Sequence, residues 1–465
     1  MKNLQRPNLL KIKKFEIPTL DVGIFFTLSD RRESNGFVSP EFLAKVGLHF
    51  FLKSCLIHTD IVETETIRRR PKRAMARRRR EMKMIELLKT PLTDWHIANG
   101  AKMAEFAGYS MPINYPSGAL KEIHAVRNFA GLFDISHMRP IFVEGTEARK
   151  FLDLIDTRDL SLMKVGDARY GIVCNENGEP LDDIIVYLLS EEKDSERFLV
   201  IANASNGTKI YEHLCRVKSE NKFSRRTVTL ADGLGFYGFV SLQGPKAEEI
   251  LKKVPHNLII PKKSYSCVTN VVRGYRFLIA KTGYTGEEGF EILCPKNATD
   301  HIWTSLLNVG KSSGLIPCGL ASRDTLRLEA GMPLFGHEMD KEHDPISAGL
   351  PWAVNFGKMF FIGKDELLKV SNGTSKKSRE YFHAFVMDKG RVPRHGDLIV
   401  QNIGGIEHKI GKLTSAGFSP TLGKNIAMGY LDCQRAIGLE VFIEIGGKLY
   451  PATVTERPFY KREKK

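Results

Sequence analysis

The stretch Asn175-Glu-Asn-Gly-Glu-Pro-Leu-Asp-Asp-Ile-Ile-Val-Tyr187 reads as a tight turn running into an apolar strand, with Asp182 and Asp183 side by side at the strand's mouth. Neighbouring strand residues face opposite sides, so one carboxylate can lie in water while the other points into a cavity. If Ile184 and Val186 share a face with Asp182, then Asp183 lies with Ile185 and Tyr187. The alternation does not choose which acid faces the cavity. An inward carboxylate is costly unless it is hydrogen-bonded or has a chemical task. The competing reading is local: acids after a turn often cap its backbone, here as an Asx turn closing 178–183.

Outward from this strand the chain alternates helical and strand-like patterns. Residues 118–128, 145–156, 245–253 and 298–312 read as helices, with Thr146 the expected N-cap of the second. Strand-like runs occupy 170–174, 184–189, 198–202, 227–230, 237–242, 277–280 and 290–294. A polar break at 371–378 precedes short alternating strands at 382–387, 398–400, 409–414, 427–431 and 439–445. The expected fold class is therefore α+β with an all-β terminal module, sandwich or barrel, and no internal repeat is visible.

Two further stretches can carry chemistry. Thr282-Gly-Tyr-Thr-Gly-Glu-Glu-Gly-Phe-Glu291 has three glycines in seven residues, which permits close approach of backbone to a ligand. It is neither a dinucleotide fingerprint nor a P-loop. Glu291, entering a strand, can accept two parallel N–H bonds from an amidine-like edge such as a pterin or guanine ring. Tyr284 can stack or hydrogen-bond, and the plainer alternative is a hairpin turn with exposed acids. Cys318-Gly-Leu-Ala-Ser-Arg-Asp-Thr-Leu-Arg-Leu-Glu-Ala-Gly331 reads as a helix ended by Gly331, with Arg323 and Arg327 on one face. That pair can bind ligand carboxylates or pair with internal acids. Asp134-Ile-Ser-His137 does not make a catalytic dyad by adjacency, and His337 and His343 lack a metal-ligand spacing, so no metal site is expected.

The net charge of +15 is uneven. Residues 68–83 hold ten Lys or Arg against one acid and contribute +9, residues 1–67 contribute +1, and 84–465 are left with +5. No aromatics interleave the basic block and no nucleic-acid motif adjoins it, so nucleic acid is not an expected partner. Apolar runs at 22–28 and 42–56 are too short or too interrupted to span a membrane. Eight acids within 1–67 argue against a transit peptide. The expected folded start lies near Met82 or Met84, with 1–84 a basic leader. Seven dispersed cysteines without C-x-x-C favour a reducing compartment. Asn206-Gly-Thr and Asn372-Gly-Thr match the glycosylation pattern by chance on this reading.

The order of several stretches resembles the aminomethyltransferase of the glycine cleavage system, the T-protein family. They are Lys89-Thr-Pro-Leu, Gly100-Ala-Lys-Met, Glu105-Phe-Ala-Gly, Gly131-Leu-Phe-Asp-Ile-Ser-His-Met138, Leu181-Asp-Asp-Ile-Ile-Val186 and Leu242-Gln-Gly-Pro245. Thr282-Gly-Tyr-Thr-Gly-Glu287, Ala321 to Gly331, Gly336-His-Glu-Met-Asp340 and Ser415 to Gly423 complete the set. The resemblance spans about 87–462. The family's usual Gly-Gly before the double acid is Gly178-Glu179 here.

The resemblance implies three domains around a central tetrahydrofolate pocket: two interleaved folate-binding domains over 85–370 and a β-barrel over 371–465. It implies transfer of the methylene group from an aminomethyl moiety on lipoylated H-protein to tetrahydrofolate, releasing ammonia, alongside the P- and L-proteins of glycine degradation. Asp183 matches the essential carboxylate near folate N10. Tyr170, Asn203, Tyr284, Glu291, Arg323 and Trp352 match folate-pocket positions. No metal, flavin or NAD is implied. A folate demethylase would need no H-protein. A sarcosine-type dehydrogenase would need a flavin domain whose fingerprint is missing from 1–84, and an iron–sulfur assembly factor would carry Gly-Cys-Tyr where Gly283-Tyr-Thr stands. The expected location is the bacterial cytoplasm, with the mitochondrial matrix as alternative.

Overall fold

A computed structural model describes residues 87–255, 257–375 and 380–463. The leader expectation, the basic block, both early apolar runs and Met82/Met84 lie outside the described residues.

Burial alternates along Pro180–Glu192 because one face of this strand packs on helices. It is the second strand of a five-stranded antiparallel sheet ordered Ala168–Cys174, Pro180–Glu192, Ser195–Ala202, Arg139–Gly145, Thr229–Asp232. Ile184, Val186, Leu188, Phe198 and Val200 pack there against Phe151 and Leu152 of helix Ala148–Ile155 and Ile210 and Leu214 of helix Gly207–Glu220. A six-stranded sheet runs Cys267–Val272, Tyr275–Ala280, Gly289–Pro295, Tyr237–Gln243, Ala130–Asp134, Leu315–Cys318, antiparallel except for the last pair. Its outer face is covered by helices Ala247–Lys253 and Thr299–Gly310 through Ile250, Leu251, Trp303 and Leu306. The two uncovered faces meet: Tyr187, Leu199 and Ile201 of the first sheet pack with Phe133, Phe239, Leu278 and Leu293 of the second. The chain leaves the six-stranded sheet after Asp134, builds the whole five-stranded sheet, and returns at Tyr237.

The last module is a closed barrel ordered Tyr381–Met387, Lys424–Leu431, Ile406–Ser419, Leu398–Ile403, Glu440–Ile445, Lys448–Thr455. The α+β class with an all-β terminal barrel is thus what the chain adopts. Closure leaves no exposed edge strand to recruit other chains. Helix Leu320–Glu329 joins the barrel to the sheets: Leu328 packs on Ile426 and Met428, and Glu329 accepts the hydroxyls of Ser419 at 2.6 Å and Thr421 at 2.8 Å.

Several local expectations differ from what is observed. Thr146 is not a cap: the helix starts at Ala148 with Glu147 at its N-cap and no side-chain cap bond. The expected strand at 227–230 is displaced to Thr229–Asp232. Helix Gly207–Glu220 was not anticipated, although Ile210, Leu214 and Val217 show its spacing; its Asn-Gly-Thr start reads as a loop signal. Ala130–Asp134 and Leu315–Cys318 escaped notice because such short segments carry too little alternation to register. Among the described residues no helix is long and apolar enough to cross a membrane.

Candidate active site

Docking of the sheet against its helices decides between the two acids. Asp182 turns with Ile184 and Val186 toward the helices and is fully buried. Asp183 turns with Ile185 and Tyr187 toward the second sheet and stays half-buried. Neither closes the preceding turn. Asn175 does that, its Oδ1 accepting the N–H groups of Asn177 and Glu179 at 3.0 Å each while Gly178 adopts φ +71°.

Asp182 is satisfied three times over. It accepts the Asn203 backbone N–H at 2.8 Å, the Asn203 amide at 2.9 Å and the Asn206 amide at 2.8 Å. The Asn203 amide reaches on to Asp183, donating to its Oδ1 at 2.8 Å and its carbonyl at 3.1 Å. The Tyr170 hydroxyl also bonds Asp183. Burial pushes both carboxyls above the ordinary aspartate value; the charge of Asp183 adds to the rise at Asp182, and the bonds from Tyr170 and Asn203 hold Asp183 back. Burial and the neighbouring Asp183 keep the Tyr170 hydroxyl protonated, hence a donor. The Tyr170 ring lies 5.4 Å from that of Trp352, tilted 35°, and Trp352 is 54% exposed.

The second wall comes from the six-stranded sheet. Glu291 sits on Gly289–Pro295 opposite Ala280 and Ser241, is buried, and accepts the Thr282 hydroxyl at 2.6 Å. Burial raises its carboxyl pKa; the Thr282 bond and the Arg323 charge oppose that rise. The Arg323 guanidinium lies 5.2 Å from the Tyr284 ring centroid, and its Nη1 is buried with no protein partner. The Tyr284 hydroxyl donates to the Pro333 carbonyl. The charge of Asp183 is felt at Tyr284, so the two walls converge.

Tyr265 belongs to the same cluster and was missed in the sequence. Its hydroxyl feels both Glu291 and Asp183, and its backbone is held at φ +56° by bonds to Ala168 and Lys281. A tyrosine in the polar run Pro261-Lys-Lys-Ser264 offers no local signal; an observed positive φ at a non-glycine is the structural one.

The two arginines of the helix separate. Arg327 is spent internally on Asp324 at 2.8 Å, Glu338 at 3.0 Å and the Ser415 hydroxyl at 2.8 Å. Arg323 turns to the cluster with a donor to spare, while Arg327 touches it only through its charge at Tyr284. The glycine-rich stretch also has a reason other than ligand approach. A Cβ at Gly283 or Gly289 would fall 2.1 or 2.3 Å from the Gln243 amide, and that amide bonds the Thr282 carbonyl and the Thr285 hydroxyl. The glycines admit Gln243, which sets the hairpin carrying Tyr284 and Glu291. Arg127 anchors the same hairpin through Glu287 at 2.7 Å and the Thr285 carbonyl at 2.8 Å. Asp134 pairs with His96 at 3.0 Å, while burial pushes His137 down to about 4 and leaves it a neutral packing group beside Phe106. The Asn206 side chain, engaged by Asp182, is not available as a glycan acceptor. Among the described residues no group of three or more His, Cys, Asp or Glu side chains could hold a metal ion.

Two family models match the chain: the GCVT N-terminal domain over 92–358 and the glycine cleavage T-protein C-terminal barrel domain over 382–461. The chain belongs to the glycine cleavage T-protein family. A protein of Desulforamulus reducens named aminomethyltransferase is 39% identical over 386 residues, covering 82% of this chain and 100% of the relative. One of Bacillus mycoides with the same name is 40% identical over 387 residues, with the same coverage. The crystal structure of glycine cleavage system aminomethyltransferase T from Bartonella henselae is similar at TM-score 0.71 and 34% identity, over 81% of this chain and 99% of that one. Family membership makes the chain an enzyme of the aminomethyltransferase class. The double acid, the glycine hairpin and the arginine helix that carried the resemblance all fall within the cluster or its supports.

Proposed function

We propose that this enzyme transfers the methylene carbon of an aminomethyl group, carried on the lipoyl arm of H-protein, to tetrahydrofolate. The products are 5,10-methylenetetrahydrofolate, ammonia and the lipoyl thiol. The reading rests above all on one observation: Asp183 is a half-buried carboxylate fixed by Tyr170 and Asn203, with its charge felt at Tyr265 and at Tyr284 of the opposite wall. Cleaving the C–N bond to release ammonia creates iminium-like positive charge. A fixed carboxylate favours that charge more in the transition state than in the ground state.

The residues suit a folate. Glu291 provides the acceptor for the pterin's N–H edge, the partnerless Arg323 Nη1 a buried donor, and Tyr170 and Trp352 apolar ring faces. Asp183 holds folate N10, Tyr284 and Asn203 complete the pocket, and the barrel closes the three-domain arrangement. P- and L-proteins act in the same glycine-degrading sequence. The six described cysteines are all free, in keeping with a bacterial cytoplasmic location.

The deciding experiment supplies aminomethylated lipoyl H-protein and tetrahydrofolate to wild type and Asp183→Asn in parallel. The expected result is ammonia release by wild type and a turnover loss on the order of 10²-fold or more in the variant, with folate affinity kept. Folate binding without transfer by wild type would favour a demethylase instead.

A further inference from the structure

Asp182 takes no part in the chemistry above, yet it organises the residue that holds Asp183. We propose that Asp182 is a positioning residue that sets the orientation of the Asp183 carboxylate through Asn203. One carboxylate clamps Asn203 at two points, its backbone N–H through Oδ2 and its side-chain amide through Oδ1. Fixing both ends leaves the Asn203 side chain little rotational freedom, so its amide is presented to Asp183 Oδ1 at 2.8 Å. Asn206, the N-cap of helix Gly207–Glu220, grips the same Asp182 oxygen at 2.8 Å. That helix is rooted in the core through Ile210, Leu214 and Val217. A rigid path therefore runs from the packed helix through Asn206, Asp182 and Asn203 to the reacting carboxylate.

Geometry alone would allow a purely structural Asp182, so the decisive readouts are kinetic. This inference rests on the reading of Asp183 as the group that meets folate N10. In Asp182→Asn the volume is kept, but one acceptor becomes a donor facing an N–H group, and the clamp on Asn203 is lost. Asp183 is faced by Tyr170 and Asn203 through hydrogen bonds and by Asp182, Tyr265 and Tyr284 through their fields. Losing the clamp weakens the Asn203 bond, one of the contacts that hold the Asp183 carboxyl down, so its pKa rises further.

The experiment compares full-length wild type and Asp182→Asn in kcat, folate KM, the pH profile of kcat and thermal unfolding. The expected outcome is a kcat lower by about 10- to 100-fold, a folate KM within about twofold, and an acid limb displaced to higher pH. A folded Asp182→Asn enzyme with wild-type kcat and an unmoved acid limb overturns the proposal. If that variant does not fold, Asn206→Ala decides, because it loosens Asp182 without touching Asn203: a lowered kcat at unchanged folate KM supports the path, and a wild-type kcat overturns it. Absence of transfer in the wild-type enzyme would instead sink the functional reading, whatever the variants do.

Discussion

Replacing Glu291 by Gln isolates the proposed pterin contact with the least disturbance. Glu291 is 6% exposed, and its one described hydrogen bond comes from Thr282 at 2.6 Å, so acceptor capacity remains for a ligand. Gln keeps the length and one oxygen but puts an NH2 where the second acceptor stood. A hydrogen bond to a charged group is worth about 1.5–3 kcal/mol, and an N–H left facing a donor costs a further ~1 kcal/mol or more. The expected loss is therefore about 2.5–4 kcal/mol, or roughly 60- to 700-fold in Kd for tetrahydrofolate. Arg323 limits the loss to this range, because its guanidinium stays in place to meet the ligand. The pH dependence adds a second reading. Burial raises the Glu291 pKa, so the binding-competent ionised form is lost as pH falls through a value above that of an ordinary glutamate. Wild-type affinity should weaken over that range while the Gln variant stays flat. Anaerobic calorimetry, or quenching of tryptophan emission with Trp352 beside the pocket, measures both. A Gln variant binding folate within about twofold of wild type, or a wild-type Kd that is flat with pH, would refute the reasoning.

Three other outcomes are expected. Arg127→Met leaves Glu329, buried and bonded to Arg127 at 2.7 Å, without its countercharge; stability should fall by about 3–5 kcal/mol. A shift below about 1 kcal/mol in urea unfolding would contradict that burial argument. Asp156 is fully buried with Oδ2 unbonded, and burial pushes its carboxyl up to about 7. The folded state keeps this proton where the unfolded chain has lost it, so this group lowers stability as pH rises from about 4 towards 7. Asp156→Asn should flatten that part of the melting-temperature profile, and equal slopes in the two proteins would count against it. Finally, the body's +5 charge suits an acidic carrier, so the apparent affinity for H-protein should weaken with added salt; a salt-independent value would dismiss such steering.

The sequence by itself determined the α+β class, the terminal all-β module, most central strands and the family, because periodicity and ordered motifs are local quantities. It also narrowed the chemistry to the double acid, the glycine hairpin and the arginine helix. Which acid turns to the site was beyond alternation alone, although the resemblance pointed to Asp183. Alternation places Asp182 and Asp183 on opposite faces, but only the docking of helices 148–155 and 207–220 buries one face among helices and leaves the other, with Asp183, turned toward the second sheet. The same holds for Arg323 against Arg327: both lie on one helix face, and distant Glu338 and Ser415 claim the second. Gln243 supplies the reason for Gly283 and Gly289 from a strand some forty residues away. Tyr265 joins the site only because two sheets meet there. Side-chain parity is written in the chain, while burial and partnership depend on what long-range packing brings alongside.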